Sequence, residues 1–463
     1  MIRQSLYSAS GNRPPRRLRL ILASFFLVLV SPAAHAAHLN PAEVAVVPVG
    51  SRPTNVGVNP ATNRVYVVNE IAGSVSVIDG TPGSATENSV VATVGVGVAP
   101  QGIAANPSTD RIYVVNVVTQ TVSVIDGTPG SATENTIVAT VFGLGFRPRV
   151  AAVNPVTNRI YVSQHGNGVG TVVHVIDGAT NAIVANVSVP RSPHGVAVNP
   201  VTNRVYVSNL NANTVMVIDG STNVLIVPGI LVGSGPFSLA LNPMSNRIYV
   251  ANFFSNTVSV IDGGTNAVIA TIPVPNGPSG PTVNSAANLI YVANQNSDSV
   301  TIIDGSTNTV ILPLVAVGNL PNQLASNQAA DRVYATNVND NTVSVIADVP
   351  LEVEIDIKPG SVPNSINPRS KGRVPVAILT DASFDATSVD PSTVLFGPLG
   401  VEGEAVHAAL EDVDGDLDTD MIVHFKTQET AIQCGDTEAF LSGETFAGLE
   451  IFGCDSVRTV GCK

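Results

Sequence analysis

Five aspartates alternate along one short stretch of the chain, at Asp412, Asp414, Asp416, Asp418 and Asp420. Carboxylates this close together repel one another unless a cation shares them. Ca²⁺ takes six to eight oxygen ligands, mainly carboxylates and backbone carbonyls. The spacing therefore predicts a calcium site, with the backbone carbonyl of Asp418 as an added ligand. The alternative interpretation is a solvated acidic turn.

A second set of candidate residues occupies one position of a repeated phrase, directly after a proline. The residue differs in each of the seven repeats, which predicts an asymmetric lining at the mouth of a central channel: Thr54, Gln101, Arg149, His194, Phe237, Ser279 and Asn322. Arg52, Arg147 and Arg191 lie nearby and would add positive charge. With Arg149 and His194 they predict a small anion-binding patch. Ordinary polar residues around a water-filled channel mouth are the alternative.

The repeats that carry these positions run from residue 41 to residue 348. Each contains N-P-x-T-N-R-[VI]-Y-V, then T-V-S-V-I-D-G, then T-N-x-V-I-A-T-[VI], with small variations. One tyrosine marks each repeat: Tyr66, Tyr113, Tyr161, Tyr206, Tyr249, Tyr291 and Tyr334. Runs of β-branched residues between Asn-Pro and Asp-Gly turns predict four short strands per repeat. A four-stranded unit of about 40 to 50 residues is typical of a β-propeller blade.

The two ends of the repeat array complete each other. The seventh repeat stops at Asp348 without its fourth-strand phrase, and a matching phrase begins at Glu43. We expect this N-terminal strand to complete the last blade, since an open array would need end caps. The predicted fold class is all-β, with a seven-bladed β-propeller closed by the N-terminal strand over residues 37–349. A small β-sandwich-like domain, acidic and carrying the aspartate loop, is predicted over residues 350–463.

These repeats resemble the YVTN family of β-propellers, which includes YncE-like periplasmic and cell-surface proteins. The Y-V-x-N core stands as YVVN, YVSN or YVAN in five repeats, as YVSQ at Tyr161 and as YATN at Tyr334. The resemblance covers about two thirds of the chain. It implies surface-layer, adhesive, ligand-binding or nucleic-acid roles, and the fold by itself does not choose among them.

The acidic C-terminal part carries two further resemblances. The aspartate spacing is similar to the D-x-D-x-D-G-x-x-D calcium loops of integrin-like repeats, but Leu417 stands where those loops have glycine. That position usually needs a positive φ, which costs a non-glycine residue about 1 kcal/mol. The phrases beginning at Ile357 and Val374 resemble a module attached to many secreted bacterial proteins.

The N-terminal residues predict export. A basic stretch with Arg13, Arg16, Arg17 and Arg19 precedes the apolar run Leu20 to Val30, and an A-x-A pattern ends at Ala36. This order is typical of a signal peptide, so residues 1–36 are predicted to be removed. The apolar run is short for a membrane span, and we expect no transmembrane segment after cleavage. The predicted location is secreted, periplasmic or at the cell surface.

Charge and cysteine content narrow the possible partners and the redox setting. The whole chain carries a net charge of −13, with 35 acidic residues, and the predicted signal peptide contributes only basic ones. A mature chain this acidic argues against nucleic acid as a partner. Cys434, Cys454 and Cys462 predict one disulfide and one free thiol in an oxidising compartment. We expect Cys434 to pair with Cys462, which would tie the C-terminus back to its domain.

Two functions follow from these features. The leading hypothesis is an exported, monomeric, non-catalytic propeller that binds or scaffolds, with a calcium-stabilised C-terminal module. Its partner would be an unidentified protein or small molecule at the propeller face. The alternative is a funnel enzyme of lyase or lactonase type around His194 and Arg149. The seven channel positions include no Asp or Glu, which argues against the carboxylate-held metal of propeller lactonases.

Overall fold

β-strands form wherever the sequence repeats its β-branched runs. The computed structural model describes residues 40–381, 384–446 and 448–462. Within them the only helical segments are two single-turn 3-10 helices, Gly166–Gly168 and Ala386–Ser388. None of the described residues belongs to a helix long and apolar enough to cross a bilayer. The predicted signal peptide, residues 1–36, lies outside the described part of the chain.

Residues 41–348 form seven antiparallel sheets of four strands, here called blades 1 to 7. Blades 1 to 3 contain β2 (Pro53–Asn59), β3 (Arg64–Asn69), β4 (Ser74–Asp79), β5 (Ser89–Gly95), β6 (Pro100–Asn106), β7 (Arg111–Asn116), β8 (Thr121–Asp126), β9 (Ile137–Val141), β10 (Pro148–Asn154), β11 (Arg159–Gln164), β12 (Val172–Asp177) and β13 (Ala182–Ser188). Blades 4 and 5 contain β14 (Pro193–Asn199), β15 (Arg204–Asn209), β16 (Thr214–Asp219), β17 (Val224–Leu231), β18 (Pro236–Asn242), β19 (Arg247–Asn252), β20 (Thr257–Asp262) and β21 (Ala267–Pro273). Blades 6 and 7 contain β22 (Pro278–Asn284), β23 (Leu289–Asn294), β24 (Ser299–Asp304), β25 (Thr309–Ala316), β26 (Pro321–Asn327), β27 (Arg332–Asn337), β28 (Thr342–Asp348) and β1 (Pro41–Pro48).

The N-terminal strand closes the ring. β1 pairs antiparallel with β28 and is the fourth strand of blade 7, with Val47 opposite Val343. Val47 is 2% exposed and its neighbour Val46 is 53% exposed, because successive side chains of a strand point to opposite faces. The predicted closure is therefore confirmed, and blade 7 has four strands like the other blades.

The repeated tyrosine is a core residue between neighbouring blades. Six of the seven tyrosines are completely buried: Tyr66, Tyr113, Tyr161, Tyr206, Tyr249 and Tyr334. Tyr113 of blade 2, for example, packs in one apolar cluster with Val162 and Ile176 of blade 3. A buried aromatic side chain removes some 150–250 Å² from water, so each tyrosine binds one sheet to the next.

Seven side-chain hydrogen bonds run from blade to blade at the turn between the first two strands of each blade, which is an Asn-Pro turn in five repeats. In blade 1, Asn59 accepts from the amide of Ala61 and so caps its own turn, while its side-chain amide donates to Asp110 of blade 2 at 2.7 Å. The other six bonds are Asn106 to Asn158, Asn154 to Asn203, Asn199 to Asn246, Asn242 to Asn288, Asn284 to Asp331 and Asn327 to Asn63. Every acceptor residue has a positive φ, which Asn and Asp tolerate better than most residues. The N-P-x-T-N phrase thus joins consecutive blades.

The recurrent arginine after this phrase is also structural. In blades 1 to 3 this arginine pairs with the aspartate of the Asp-Gly turn of the same blade. The pairs are Arg64 with Asp79, Arg111 with Asp126 and Arg159 with Asp177. Arg204 instead donates to the Gly263 carbonyl of the next blade at 2.6 Å. Repetition at one turn position therefore reflects the scaffold, as expected for a residue that binds a turn or a neighbouring blade.

The C-terminal residues form a second β structure. An eight-stranded sheet runs in the order β29, β37, β36, β33, β34, β35, β32, β30, and β31 pairs separately with β38. The strands are β29 (Leu351–Glu352), β30 (Ile355–Ile357), β31 (Ser365–Ile366), β32 (Arg373–Ile378), β33 (Val389–Gly397), β34 (Gly403–Glu411), β35 (Asp420–Lys426), β36 (Glu438–Thr445), β37 (Glu450–Ser456) and β38 (Arg458–Thr459).

This sheet curls around one apolar core. Its two edge strands, β29 and β30, are nearly consecutive in the chain, so one short segment borders both edges of the sheet. Ile357, Val376, Phe396, Phe425 and Leu441 come from different strands and share a single buried cluster. The predicted sandwich-like domain is therefore one continuous sheet whose two halves enclose a common core.

One disulfide lies in this C-terminal part. Cys434 and Cys462 are bonded, with their Cα atoms 5.7 Å apart, and this is the pair expected from the sequence. Cys454 is a free, exposed thiol. The bond links the end of the chain to the loop before β36.

Candidate functional site

The inner strand of every blade begins at the proline of the repeated phrase, as predicted. These strands are β2, β6, β10, β14, β18, β22 and β26. In each of them the pairing register shifts directly after the proline. A β-bulge of this kind bends a strand and re-aims its side chains. It therefore sets the direction of the variable residue that follows each proline.

The residue before each of these prolines has a positive φ. The residues are Arg52, Ala99, Arg147, Ser192, Gly235, Gly277 and Leu320, with φ between 52° and 74°. Five of them are not glycine, and each such residue stores about 1–3 kcal/mol of strain that the surrounding structure must hold. Positive φ also recurs at other turns of the blades, so at this position it shapes the entry of the chain into each inner strand.

Six of the seven predicted channel residues meet at one cavity of about 160 Å³ in the channel mouth. They are Thr54, Gln101, Arg149, His194, Phe237 and Asn322. Ser279 is not among the lining residues. It is fully buried, and its hydroxyl donates to the Asn322 carbonyl at 2.7 Å. Arg52 also lines the cavity, whereas Arg147 and Arg191 do not.

Sequence reasoning missed a second set of lining residues. Glu70, Gln295 and Val338 line the cavity, and each directly follows the Y-V-x-N phrase of its repeat. Six different residue types occupy this position in the seven repeats: Glu70, Val117, His165, Leu210, Phe253, Gln295 and Val338. The same variability that marked the residue after the proline was therefore the signal that could have found them.

Glu70 is the one carboxylate among the residues that line the cavity. Its Oε2 atom lies 3.1 Å from Arg52 Nε, and its Oε1 atom accepts a hydrogen bond from Gln101 Nε2 at 2.6 Å. The Glu70 side chain is only 15% exposed. Because Gln101 uses its amide nitrogen on Glu70, its Oε1 atom is left buried without a partner among the described residues.

Arg149 carries the unpaired positive charge of the cavity. Its guanidinium forms no hydrogen bond or ion pair with any residue that the structure describes. Burial lowers the pKa of Arg149, and although the carboxylate of Glu70 opposes this fall, the charge of Arg147 adds to it. A half-buried cation without a carboxylate partner is poorly solvated, so the arrangement favours an anion beside it.

Two neutral histidines lie close to Arg149. His194 Nδ1 is 2.7 Å from the Phe237 carbonyl oxygen, which can only accept, so Nδ1 carries the proton. His194 is 3% exposed, and its Nε2 atom has no partner among the described residues. The His165 ring lies edge-on to it at 5.6 Å. Burial, followed by the charge of Arg149, lowers the pKa of both rings, that of His165 to about 4.

Glycine at two inner-strand positions lets neighbouring blades approach closely. A Cβ atom on Gly102 would lie 2.3 Å from the Arg149 carbonyl oxygen, and one on Gly195 would lie 2.9 Å from Ser238 Cα. Side chains cannot be accommodated at such distances without backbone movement. These glycines follow Gln101 and His194 directly, so they hold the backbone that carries the lining residues.

The acidic loop brings together three of its five aspartates. Asp412, Asp414 and Asp420 present carboxylate oxygens within 4.8 Å of one another. Asp420 is fully buried and accepts from the amides of Thr380 and Val413, both at 2.8 Å. An all-oxygen ligand set suits hard cations, Ca²⁺ and Mg²⁺ alike.

The other two aspartates of the loop lie outside this group. Asp416 accepts from the backbone amide of Asp418 at 3.0 Å, so it shapes the turn. Between them Leu417 has a φ of 82° and is 92% exposed. The backbone therefore adopts the left-handed conformation that the calcium-loop spacing requires, even with leucine in the glycine position.

The geometry of the ring agrees with comparison to known proteins. A family model described as "Lactonase, 7-bladed beta-propeller" matches residues 84–350. The chain belongs to this lactonase propeller family. The match begins just before β5, the fourth strand of blade 1, and runs through blade 7, so it spans most of the ring that surrounds the cavity. Glu70 and Arg52 of this family member lie before the matched residues.

The chain also resembles a solved structure, the Kuenenia stuttgartiensis hydrazine synthase. The two are 18% identical with a TM-score of 0.56, and the likeness covers 64% of this chain and 96% of that chain. At this level of identity the likeness shows the propeller fold alone. No curated protein matches the sequence.

Proposed function

We propose that this lactonase-family propeller binds a small anionic ligand in its channel-mouth cavity. The observation that carries the proposal is the guanidinium of Arg149, which lines the cavity without an acidic partner among the described residues. A desolvated cation is costly when it is unpaired, and a bound anion would remove that cost. The cavity is mainly polar, and a few convergent polar groups are what orient a small ligand.

The remaining parts of the proposal concern where and how this binding protein acts. It would be an exported, monomeric, YVTN-type propeller that binds or scaffolds in the periplasm or at the cell surface. The disulfide between Cys434 and Cys462 supports an oxidising compartment. Calcium would stiffen the C-terminal domain through Asp412, Asp414 and Asp420.

Lactone hydrolysis is the second candidate function, favoured by the family match and by His194. His194 and Arg149 both line the cavity. The unprotonated Nε2 atom of His194 is buried and has no partner among the described residues. In a hydrolase it would accept a proton from water attacking a lactone carbonyl, and Arg149 would stabilise the negative charge that develops on oxygen. The lowered pKa makes His194 a weak base, which is why we rank binding first.

Calorimetry on the full chain with a panel of small carboxylates and lactones tests both functions. We expect at least one acid to bind and Arg149→Gln to weaken it by about tenfold or more. Arg191→Gln is the matched control, because Arg191 is exposed and does not line the cavity. Failure of the wild type to bind any anion would refute the proposal.

Ring opening of the same lactones, followed by acid release, separates the two functions. A binding protein leaves the lactones intact while it retains the acids. Turnover that disappears in His194→Gln, with acid binding retained, would instead establish the enzyme.

A further inference from the structure

We infer that the channel-mouth site selects ligands with a single negative charge, and that Glu70 is the residue that sets this limit. The inference rests on the proposed anion site and goes further by defining the class of ligand. Three charged residues line the cavity, namely Arg52, Arg149 and Glu70. Since Glu70 offsets Arg52, the wall is left with one net positive charge.

Glu70 is held where it must oppose a second negative group. Besides its contacts with Arg52 and Gln101, its backbone amide donates to the Arg52 carbonyl at 2.9 Å. The side chain is largely buried, so it cannot turn away into water without losing both partners. A ligand with two carboxylates would place one of them near Glu70, and like charges in a half-buried site repel strongly.

The two histidines do not add charge that would accept a dianion. The ring nearest to the ligand space, His194, uses Nδ1 to donate to the Phe237 carbonyl. Arg149 lies close enough to both rings to disfavour their protonation. The net charge of the wall near neutral pH therefore comes from the two arginines and Glu70 alone.

The remaining polar atoms define the uncharged part of the ligand. Most of the other lining side chains carry an amide or a hydroxyl group, among them Thr54, Gln295 and Asn322. Such groups donate to and accept from hydroxyl groups of a ligand. A cavity of about 150 Å³ holds one benzene molecule, so 160 Å³ suits a ligand of about six to eight non-hydrogen atoms. The class is thus a small hydroxylated monocarboxylate.

The test compares glycerate with tartronate, two hydroxylated acids that have the same carbon number but one and two carboxylates. Calorimetry on the full chain at neutral pH should show wild type binding glycerate about tenfold or more tightly than tartronate. Glu70→Gln keeps the size of the side chain and removes its charge, so we expect the ratio to shift about tenfold or more toward tartronate. Glu134→Gln is the matched control, because Glu134 caps a loop and does not line the cavity.

Arg52→Gln should have the opposite effect to Glu70→Gln. A purely structural role of the Arg52–Glu70 pair would not produce opposite effects in the two variants. Without Arg52, Glu70 faces Arg149 alone and the wall becomes neutral, so glycerate binding should fall about tenfold or more. A structural role for the Arg52–Glu70 pair would weaken both acids in both variants, and that result overturns the inference.

The results also separate this inference from the proposed function. Equal binding of the two acids by wild type, or an unchanged ratio in Glu70→Gln, overturns charge selection while leaving the anion site intact. If wild type binds neither of these acids but binds other anions of the panel, the hydroxylated monocarboxylate class is wrong. If it binds no anion at all, the proposed function fails as well.

Discussion

Asn327 donates a hydrogen bond of 2.9 Å to Asn63, across 264 residues of sequence. The bond joins blade 7 to blade 1. Six equivalent asparagines make the same kind of hydrogen bond between blades that are consecutive in the chain. The Asn327 bond differs in one respect, because Asn327 Oδ1 has no partner among the described residues, whereas Asn154 Oδ1 caps its own turn through Val156. The closing bond therefore lacks the turn cap that accompanies the bond of Asn154.

Replacing Asn327 and Asn154 by alanine should show how much the turn cap of Asn154 adds to stability. Asn327→Ala removes one hydrogen bond and is expected to lower the free energy of unfolding by about 1 kcal/mol. Asn154→Ala removes the cap as well and should cost about 2–3 kcal/mol. Urea unfolding measures both, with exposed Thr157→Ala as the control. Equal losses for the two variants would contradict the difference in capping.

Closure by the N-terminal strand predicts a large difference between two adjacent valines. Val47→Ala should destabilise the propeller by about 2 kcal/mol, because it removes two buried methyl groups from the blade 7 core. Val46→Ala changes a half-exposed side chain on the other face of the same strand and should cost less than about 0.5 kcal/mol. Thermal and urea unfolding report the difference. Similar small losses in both variants would mean that β1 is not docked in solution.

The buried tyrosines predict that ring packing matters more than the hydroxyl group. Tyr113 is completely buried, and its hydroxyl oxygen has no partner among the described residues. Tyr113→Phe should therefore be nearly neutral in stability, while Tyr113→Ala should cost about 3–5 kcal/mol. The unfolding free energies of the two variants check this. A loss of more than about 1.5 kcal/mol in Tyr113→Phe would reveal a bond that the hydroxyl makes.

The histidines of the channel mouth predict a loss of stability in mild acid. Burial and then the charges of Arg149 and Arg147 lower the pKa of His165 from 6.5 to about 4. Between about pH 6.5 and pH 4, this histidine is protonated in the unfolded chain but neutral in the folded chain. The stability of the fold therefore decreases as the pH drops through this range. His165 is partly exposed, so we expect its share to be about 1–2 kcal/mol. Urea unfolding across this range should show a weaker pH dependence for His165→Gln, and an unchanged one would refute the assignment.

The acidic loop predicts divalent cation binding that improves when its strain is removed. Calcium should bind the full chain with measurable heat, and Asp414→Asn should weaken it by removing one ligand charge. Leu417→Gly places glycine at a φ of 82° and should tighten binding about fivefold, equivalent to about 1 kcal/mol. Asp436→Asn is a control in the same domain, since Asp436 lies outside the aspartate group. The absence of heat with Ca²⁺ and with Mg²⁺ would contradict a metal site.

Much of the fold and part of the site could be predicted from local pattern. The tyrosine spacing and the Asn-Pro and Asp-Gly turns indicate the blades because each repeat carries its own strand and turn signals. Variability after the proline located six cavity residues because the bulge places this position alike in most blades. Ser279 does not line the cavity, because its hydroxyl donates a hydrogen bond to the Asn322 carbonyl of the neighbouring blade. Such an inter-blade contact has no signature in the sequence of one repeat.

The sequence by itself determined the number of blades, the closure of the ring by its first strand and the loop in which aspartates alternate. These properties depend on short-range periodicity and on turn residues, both of which are local in the sequence. Only the tertiary structure decided which charges are neutralised. Arg52 and Arg149 occupy similar parts of their repeats, but Arg52 lies against Glu70 and Arg149 has no such partner. Charge pairing depends on distances of a few ångströms across the ring, and those distances arise only when all seven blades pack together.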